Sequence, residues 1–359
     1  MTKRCDSNKD PQFSRLTIDL RTSPKINRNE RLTRLSFVLP CYNVGKYIGV
    51  CLDSLFRQDI PLSEYEVVCV NDCSTDKTRD IILDYQKLYP NIRLIDHINN
   101  QTAGGARNTG IDAASGDYIW FVDPDDYIKE NCLSSLLKRA EDNNLDIALF
   151  NFDITTEFNG DTKPGDTPFV DSVVCDGYAF LDKYFNKNIG KNSIVWRQLY
   201  RKALLIDSVL RYPILRVSQD AIFSWKALFL AKRVQSESQS RYVYRKNQAS
   251  TTSNLLTPQK VFASTISSPY EIYQMMQSFH IREDYIKMIE NAIRSDFADF
   301  WLLYPQLKNE DKTVVYRMLM NAQQQLCTLS KYVGLRRQLA LFSRYAGKKM
   351  FNYCIIKTK

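Results

Sequence analysis

Short apolar runs alternate with amphipathic stretches through the first half of the chain. Each run is rich in β-branched and aromatic residues and is too short for a helix, which predicts buried strands. The runs lie at residues 35–39, 65–70, 92–97, 118–122 and 146–152. Between them, apolar residues recur at helical spacing, for example in 46–58 and 131–143. This alternation predicts a doubly wound, mostly parallel α/β sheet over residues 35–152.

The fourth predicted strand ends on a cluster of carboxylates, Asp123-Pro124-Asp125-Asp126. Open α/β sheets bind their ligands at the carboxyl ends of strands. Crowded carboxylates repel one another unless a cation lies between them, and Mn²⁺ or Mg²⁺ takes oxygen ligands. Asp123 and Asp125 are therefore predicted to flank a divalent ion. The same residues also suit a simple turn with an Asp helix cap, which is the alternative.

Two other strand ends carry residues that suit a nucleoside. Tyr42 and Asn43 follow the first strand, where the ring could stack on a base and the amide could hydrogen-bond one. Packing at the sheet edge is the alternative for Tyr42. Asp72 follows the second strand and precedes the helix cap at Ser74 or Thr75. It is placed to accept a hydrogen bond from a ligand, as the acidic residue of dinucleotide folds does.

A stretch of small residues surrounds Arg107, between the third and fourth strands. Gly104 and Gly105 permit a close backbone approach, and Arg107 is suited to phosphate. The stretch is neither a dinucleotide fingerprint nor a Walker loop. The alternative is a helix that packs its small residues on the sheet.

Composition excludes several classes of protein. Nine scattered cysteines without a CxxC pair, and only two histidines, argue against a zinc site and a disulfide framework. The net charge is +9, of which residues 1–34 contribute +5 and residues 331–359 contribute +8, so the body between them carries −4. Such a body does not indicate nucleic-acid binding. Without a secretory signal or an apolar run of about 18 residues, a cytoplasmic protein is expected.

The two ends of the chain differ from the predicted sheet. Residues 1–34 are polar and aperiodic, which predicts a poorly ordered basic extension. Residues 256–359 are expected to be helical. Within 333–353, Leu335 and Phe342 share one helical face and Arg344 lies opposite. Such a helix suits peripheral contact with the inner surface of the plasma membrane. Docking on the protein with a solvated basic face is the alternative.

Four motifs resemble the family 2 glycosyltransferases with the GT-A fold, of the bacterial surface-polysaccharide type. They stand in family order at residues 39–43, 71–76, 106–110 and 116–126. The resemblance covers about residues 35–250 and implies a Rossmann-like sheet flanked by helices, with a GT-A domain at 35–255. Its nucleotide-binding half would be 35–152 and its acceptor-side half 153–255. It implies that the nucleoside, mostly uridine, is held by Pro40, Tyr42, Asn43 and Asp72.

The resemblance also assigns chemistry. It makes Asp123 and Asp125 the metal motif, with Asp125 nearest the ion, and Asp220 the general base. From the residues alone, Asp220 would be a helix cap or first-turn Asp. Gln219 replaces the family Glu, while Cys73 and Thr102 stand where Gly is common. Residues 242–245 are typical of an edge-like strand, with Arg245 facing phosphate or solvent.

The resemblance implies an inverting, metal-dependent transfer of sugar from a nucleotide-sugar donor, a UDP-sugar, to a hydroxyl group. The acceptor would be a glycan or a lipid-linked molecule of cell-surface polysaccharide biosynthesis. A nucleotidyltransferase is an alternative, but no basic Gly-rich loop follows the first strand. A non-catalytic subunit that binds a nucleotide-sugar or acts as a scaffold is another, because Gln219 departs from the family pattern.

Overall fold

The computed structural model of the chain describes residues 33–156, 160–166, 168–184, 194–215, 218–246 and 256–330. The predicted extension at 1–34, apart from its last two residues, and the predicted amphipathic helix at 333–353 lie outside the described residues. Across the described ranges, no helix is both long enough and apolar enough to cross a membrane.

Strands from both predicted halves of the GT-A domain form one sheet. The strands in the described ranges are β1 (Leu35–Cys41), β2 (Tyr65–Asn71), β3 (Ile92–Asp96), β4 (Tyr118–Phe121), β5 (Tyr127–Ile128), β6 (Ile147–Thr155), β7 (Lys163–Pro164), β8 (Gln198–Arg201) and β9 (Val234–Arg245). Their order is β3-β2-β1-β4-β8-β6-β9-β5, with β7 paired to β6.

Helices cover both faces of the sheet and make up the described part beyond residue 256. They are α1 (Ile48–Phe56), α2 (Thr78–Leu88), α3 (Thr102–Ala113), α4 (Leu133–Asp142), α5 (Gly177–Tyr184), α6 (Lys202–Asp207), α7 (Gln219–Leu230), α8 (Pro258–Phe262), α9 (Ser268–Ser278), α10 (Glu283–Leu303), α11 (Asn309–Asn321) and α12 (Gln323–Ser330). A π-helical turn, Ala263–Ser267, joins α8 to α9.

The sheet is parallel where the sequence predicted it. β1 pairs in parallel with β2 and β4, and β2 pairs in parallel with β3. The mostly parallel α/β sheet is therefore confirmed. The strand β6, which follows β4 in the predicted order, does not pair with it, because β8 lies between them and is antiparallel to both. Nor is β9 an edge strand, since β6 and β5 flank it.

The uninterrupted apolar runs are explained by burial on both faces. Val38 and Ile119 belong to the core cluster on one face, and their neighbours Phe37 and Trp120 belong to the cluster on the other. Successive residues of a strand point to opposite faces, so every position of such a run must be apolar. Ile289 of α10 joins the same cluster as Val38, so helices beyond residue 256 share this core. The predicted domain boundaries stay predictions.

Close packing of α3 on β1 depends on Gly110, where a Cβ atom would overlap Cγ1 of Val38. We expect Gly110→Ala to lower the free energy of unfolding by about 1–3 kcal/mol, because an overpacked core must shift to accept the methyl group. The measurement is thermal unfolding. Gly49→Ala is the matched control, since a Cβ there would meet Tyr85 Oη at an ordinary 3.7 Å. Equal melting temperatures for the two variants would contradict the prediction.

Candidate active site

Two loops at the carboxyl ends of β1 and β2 are tied together by Asn43. Its side-chain oxygen accepts a hydrogen bond from Thr75 N at 2.8 Å, and its own N–H donates to Ser74 Oγ at 3.1 Å. Asn43 and Cys73 adopt the left-handed region, with φ of 53° and 66°. Glycine adopts this backbone conformation more readily than Cys, so Cys73 stands at a position that favours Gly. Asn43 therefore holds the loops that would surround a nucleoside.

Tyr42 and Pro40 differ in how the structure places them. Tyr42 follows β1 with its side chain 51% exposed, so it does not pack at the sheet edge. A half-exposed ring at a strand's carboxyl end is available to stack on a base. Pro40 lies buried inside β1, opposite Val70 of β2. Its predicted contact with the nucleoside remains an implication of the resemblance.

Asp72 is held on one side and unpartnered on the other. It is buried, and its Oδ1 accepts hydrogen bonds from His97 Nδ1 at 2.7 Å and from Gln101 N at 2.8 Å. Its backbone oxygen accepts a further bond from Asn100 Nδ2 at 3.1 Å. Oδ2 is buried and has no hydrogen-bond partner among the described residues. An unpaired buried carboxylate oxygen is costly, so this atom is suited to a donor from a ligand.

Arg107 connects the two groups of carboxylates that the sequence singled out. It lies on α3, as the helix alternative predicted, and its side chain is only 3% exposed. Nη2 donates to Asp123 Oδ1 and Nη1 donates to Asp220 Oδ1, each at 2.7 Å. Burial acts to lower the pKa of Arg107, but Asp220 and Asp123 raise it above its ordinary value, so the guanidinium stays charged. In this structure it pairs with carboxylates, while its predicted pairing with phosphate stays a prediction.

Sequence reasoning missed the residues that hold Arg107 in place. The guanidinium carbon lies 5.3 Å from the centroid of the Tyr212 ring, which stacks on Phe223 at 3.8 Å. The Asn108 side chain accepts from Tyr212 N at 2.8 Å and donates to Tyr212 O at 3.0 Å. Asn108 stands beside Arg107 within the motif at 106–110. Tyr212 lies 105 positions away from Arg107 in the printed sequence, and no pattern indicated it.

Asp220 lies in the first turn of α7, and its carboxylate faces Arg107. Ser218, not Asp220, is the residue that precedes the helix as its cap position. The Asp220 side chain is 35% exposed, so it remains open to a ligand. Burial raises the pKa of Asp220 and Asp123 adds to the effect, while Arg107 opposes it. A ligand hydroxyl on the open side could pass its proton to this carboxylate, and the role of general base stays a prediction.

Gln219 occupies space that the small residues of α3 leave open. Its Oε1 is buried and has no hydrogen-bond partner among the described residues. A Cβ on Gly104 would overlap that atom and would also lie 2.8 Å from Pro213 O. A residue larger than Gly at position 104 would therefore displace Gln219 or the loop before α7.

The three clustered carboxylates have different surroundings. Asp126 is 2% exposed, accepts from Tyr242 Oη at 2.7 Å and from Arg245 N at 2.8 Å, and so fastens β9 to the turn. Asp125 has no such side-chain bond in the described part of the chain. Burial and the nearby Asp123 raise the pKa of Asp125 to about 6. Arg245 is buried, so it is not a solvated side chain, and its Nε donates to the backbone oxygen of Asp125 at 2.9 Å. Its contact with phosphate stays a prediction.

Asp123 and Asp125 are the residues that could hold a divalent ion. The described ranges contain no group of three or more His, Cys, Asp or Glu arranged to do so. A two-carboxylate site is nevertheless suited to Mg²⁺ or Mn²⁺, because substrate phosphates and water supply the other ligands. Burial is the main cause of the raised pKa of Asp125 and the charge of Asp123 adds to it, and a bound cation would counter both effects. The residues therefore fit the ion that the resemblance implies.

The mostly parallel sheet, with acidic residues at the end of β4 and helices on both faces, agrees with the GT-A fold that the motifs implied. Residues 36–208 match the family described as Glycosyl transferase family 2. Residues 36–208 therefore form a domain of this family, as the motifs predicted.

Relatives of known name agree with the assignment. The chain is 35% identical to the uncharacterized glycosyltransferase EpsJ of Bacillus subtilis over 61% of this chain and 62% of EpsJ. It is 31% identical to the poly(ribitol-phosphate) beta-glucosyltransferase of Bacillus spizizenii over 59% of this chain and 32% of that protein. The chain thus spans less than two thirds of the length of either relative.

A solved structure supports the fold. The crystal structure of Staphylococcus aureus TarS 1–349 in complex with UDP-GlcNAc is similar with a TM-score of 0.61. The similarity covers 90% of this chain and 90% of that chain, at 23% sequence identity. It confirms the GT-A fold predicted from the motifs.

Proposed function

We propose that this chain is an inverting glycosyltransferase that moves a sugar from a UDP-sugar to a hydroxyl group of a glycan or lipid-linked acceptor in cell-surface polysaccharide biosynthesis. The observation that carries the proposal is the pair of hydrogen bonds from Arg107, which brings Asp123 and Asp220 to one point. The names of two relatives support it, since TarS was crystallised with UDP-GlcNAc and the Bacillus spizizenii enzyme acts on poly(ribitol-phosphate).

The donor would lie across the carboxyl ends of β1, β2 and β4. Tyr42 offers a half-exposed ring for the base, and Asp72 offers its unpartnered Oδ2 as a hydrogen-bond acceptor. Asp123 and Asp125 would hold Mn²⁺ or Mg²⁺, which when bound neutralises the charge that develops on the departing diphosphate. The sugar would then lie between these carboxylates and Asp220.

Asp220 performs the proton transfer in this proposal. An acceptor hydroxyl attacks the anomeric carbon on the face opposite the diphosphate, and the bond from that carbon to the diphosphate oxygen breaks as the new bond forms. The hydroxyl proton passes to the Asp220 carboxylate. Arg107 orients this carboxylate through Oδ1 and leaves Oδ2 for the proton. A single displacement inverts the anomeric configuration.

We expect UDP with Mn²⁺ to raise the melting temperature of the protein more than GDP, CDP or ADP with Mn²⁺. A ligand at 100 times its Kd adds about 2.7 kcal/mol to the free energy of unfolding, which shifts the melting temperature of a chain this size by a few degrees. Each nucleotide is also measured without Mn²⁺. A preference for another diphosphate would keep the class of enzyme and change the donor.

Three outcomes would contradict the proposal. The absence of stabilisation by any nucleoside diphosphate would exclude a nucleotide-sugar donor. Binding of UDP without release of UDP from any UDP-sugar would favour the scaffolding subunit. Release of pyrophosphate from UTP and a sugar phosphate would favour a nucleotidyltransferase.

A further inference from the structure

His97 lies directly after β3, at the carboxyl end of the sheet, and its side chain is only 6% exposed. Both ring nitrogens have partners. Nδ1 lies 2.7 Å from Asp72 Oδ1, and Nε2 lies 2.9 Å from Thr109 Oγ1 on α3. The ring therefore bridges the loop after β2 and the helix that carries Arg107.

The partners of His97 determine where its proton lies. A carboxylate oxygen only accepts hydrogen bonds, so Nδ1 must carry the hydrogen that bonds Asp72. In the neutral imidazole, Nε2 then accepts from the Thr109 hydroxyl, which can rotate to donate. Asp72 thus selects the Nδ1–H tautomer, Thr109 is compatible with it, and the ring acts as a fixed donor to Asp72.

The two carboxylate oxygens of Asp72 therefore have different surroundings. Oδ1 is occupied by His97 and by the backbone N–H of Gln101, while Oδ2 is buried without a partner among the described residues. We propose that His97 is a positioning residue that fixes Asp72 with Oδ2 presented to the base, and that this makes the site select a pyrimidine with a ring N–H over one without. The proposal rests on the proposed donor class and names a residue and a basis for its selectivity.

The chemistry of the two pyrimidines makes the inference specific. Uracil presents a donor at N3, whereas cytosine presents a lone pair at N3. A fixed carboxylate oxygen accepts a hydrogen bond from the first and repels the second. Sites built to bond a substrate N–H reject analogues that lack it, because a buried polar group is left unpaired. If the carboxylate could rotate, part of this discrimination would be lost.

The test is the ratio of the Kd for CDP to the Kd for UDP, measured with Mn²⁺ by calorimetry on the full chain. We expect His97→Ala to weaken UDP binding about tenfold and CDP binding much less, since a buried carboxylate that loses one of its hydrogen bonds is held less firmly toward the base. The ratio should therefore fall about tenfold. His280→Ala is the matched control, because it removes the chain's other histidine, which is exposed.

Two further variants keep the test informative should His97→Ala fail to fold. His97→Asn places an amide N–H near the position of Nδ1, and we expect it to restore much of the ratio. His97→Gln places its amide near the position of Nε2, toward Thr109, and we expect no rescue. A purely structural role would lower the affinity for both nucleotides equally and leave the ratio unchanged in every variant, which would overturn the inference.

Nitrogen NMR of histidine-labelled protein provides an independent reading, since only two histidines contribute. The His97 signals, assigned by comparison with His280→Ala, are expected to show a protonated Nδ1 and to shift when UDP is added. The opposite tautomer would overturn the inference. Wild-type protein that binds UDP selectively, with variants that keep this selectivity, would refute the role of His97 alone. Wild-type protein that binds neither nucleotide would refute the proposed function as well.

Discussion

Replacement of Asp220 by Asn is expected to lower turnover by about 10²–10⁴-fold, the range that general-base catalysis contributes. The amide has nearly the same size and can still accept a hydrogen bond from Arg107, so the site should keep its shape. It cannot take the acceptor proton. Binding of UDP should stay near the wild-type value, because Asp220 lies on α7, apart from the strand ends that would hold the nucleoside. Initial rates of UDP release from the UDP-sugar measure the first effect, and calorimetry measures the second.

The control for Asp220→Asn is Asp176→Asn. Asp176 accepts a hydrogen bond from Ala179 N at 2.9 Å at the start of α5, which is the capping role that the sequence alone would give Asp220. Its replacement should reduce stability slightly and leave turnover unchanged. If Asp220→Asn kept wild-type turnover, as Asp176→Asn should, the Asp220 carboxylate would only stabilise the start of its helix and would not be the base. Loss of UDP binding in Asp220→Asn would also reject the assignment.

Replacement of Asp125 by Asn is expected to remove the Mn²⁺-dependent part of UDP binding and to lower turnover by about 100-fold or more. Stabilisation of transition-state charge by a metal ion contributes several kcal/mol, and about 2.7 kcal/mol corresponds to 100-fold. Without ligand, the melting temperature should not fall, because the substitution removes a buried charge and its repulsion from Asp123, which together raise the Asp125 pKa to about 6. Thermal unfolding with UDP, with and without Mn²⁺, gives both results.

Asp126 offers the matched comparison one residue away. Its carboxylate accepts bonds from Tyr242 Oη and Arg245 N, and it is buried. Asp126→Asn should lower the melting temperature without ligand, since an amide cannot accept both bonds equally well at this site. The Mn²⁺ dependence of the remaining UDP binding should persist. An Asp125→Asn variant that keeps full Mn²⁺ dependence would remove Asp125 from the metal motif.

Local pattern is sufficient to predict the parallel half of the sheet. The runs that form β1, β2 and β4 are buried on both faces, and burial on both faces leaves a continuous apolar signature. Polar residues that end such strands meet at one edge, so the pattern alone places Asp72 and Asp123 at a common edge. It does not decide between a loop and a helix around Arg107, because glycine and alanine suit a loop as well as a close-packed helix.

Pairings between distant segments could not be predicted. The insertion of β8 between β4 and β6 depends on contacts across some 50 to 80 positions, and nothing in either segment records its partner. The hydrogen bonds that distinguish Asp126 from Asp123 and Asp125 could not be predicted either, because their donors, Tyr242 and Arg245, belong to the distant strand β9. From the sequence, His97 is predicted only to be the last residue of a strand. Its contact with Asp72 arises because the loops after β2 and β3 meet in space.

Four consecutive residues of α3 each serve a different neighbour. Arg107 bonds the two carboxylates, Asn108 holds Tyr212, Thr109 bonds His97 and Gly110 admits Val38. Successive residues of a helix point about 100° apart, so these four cover the whole circumference. Every face of the helix along this turn therefore makes a specific contact. We therefore expect a mutational scan to find residues 107–110 intolerant to nearly every replacement, and natural or laboratory evolution to alter this site through the loops around α3 instead.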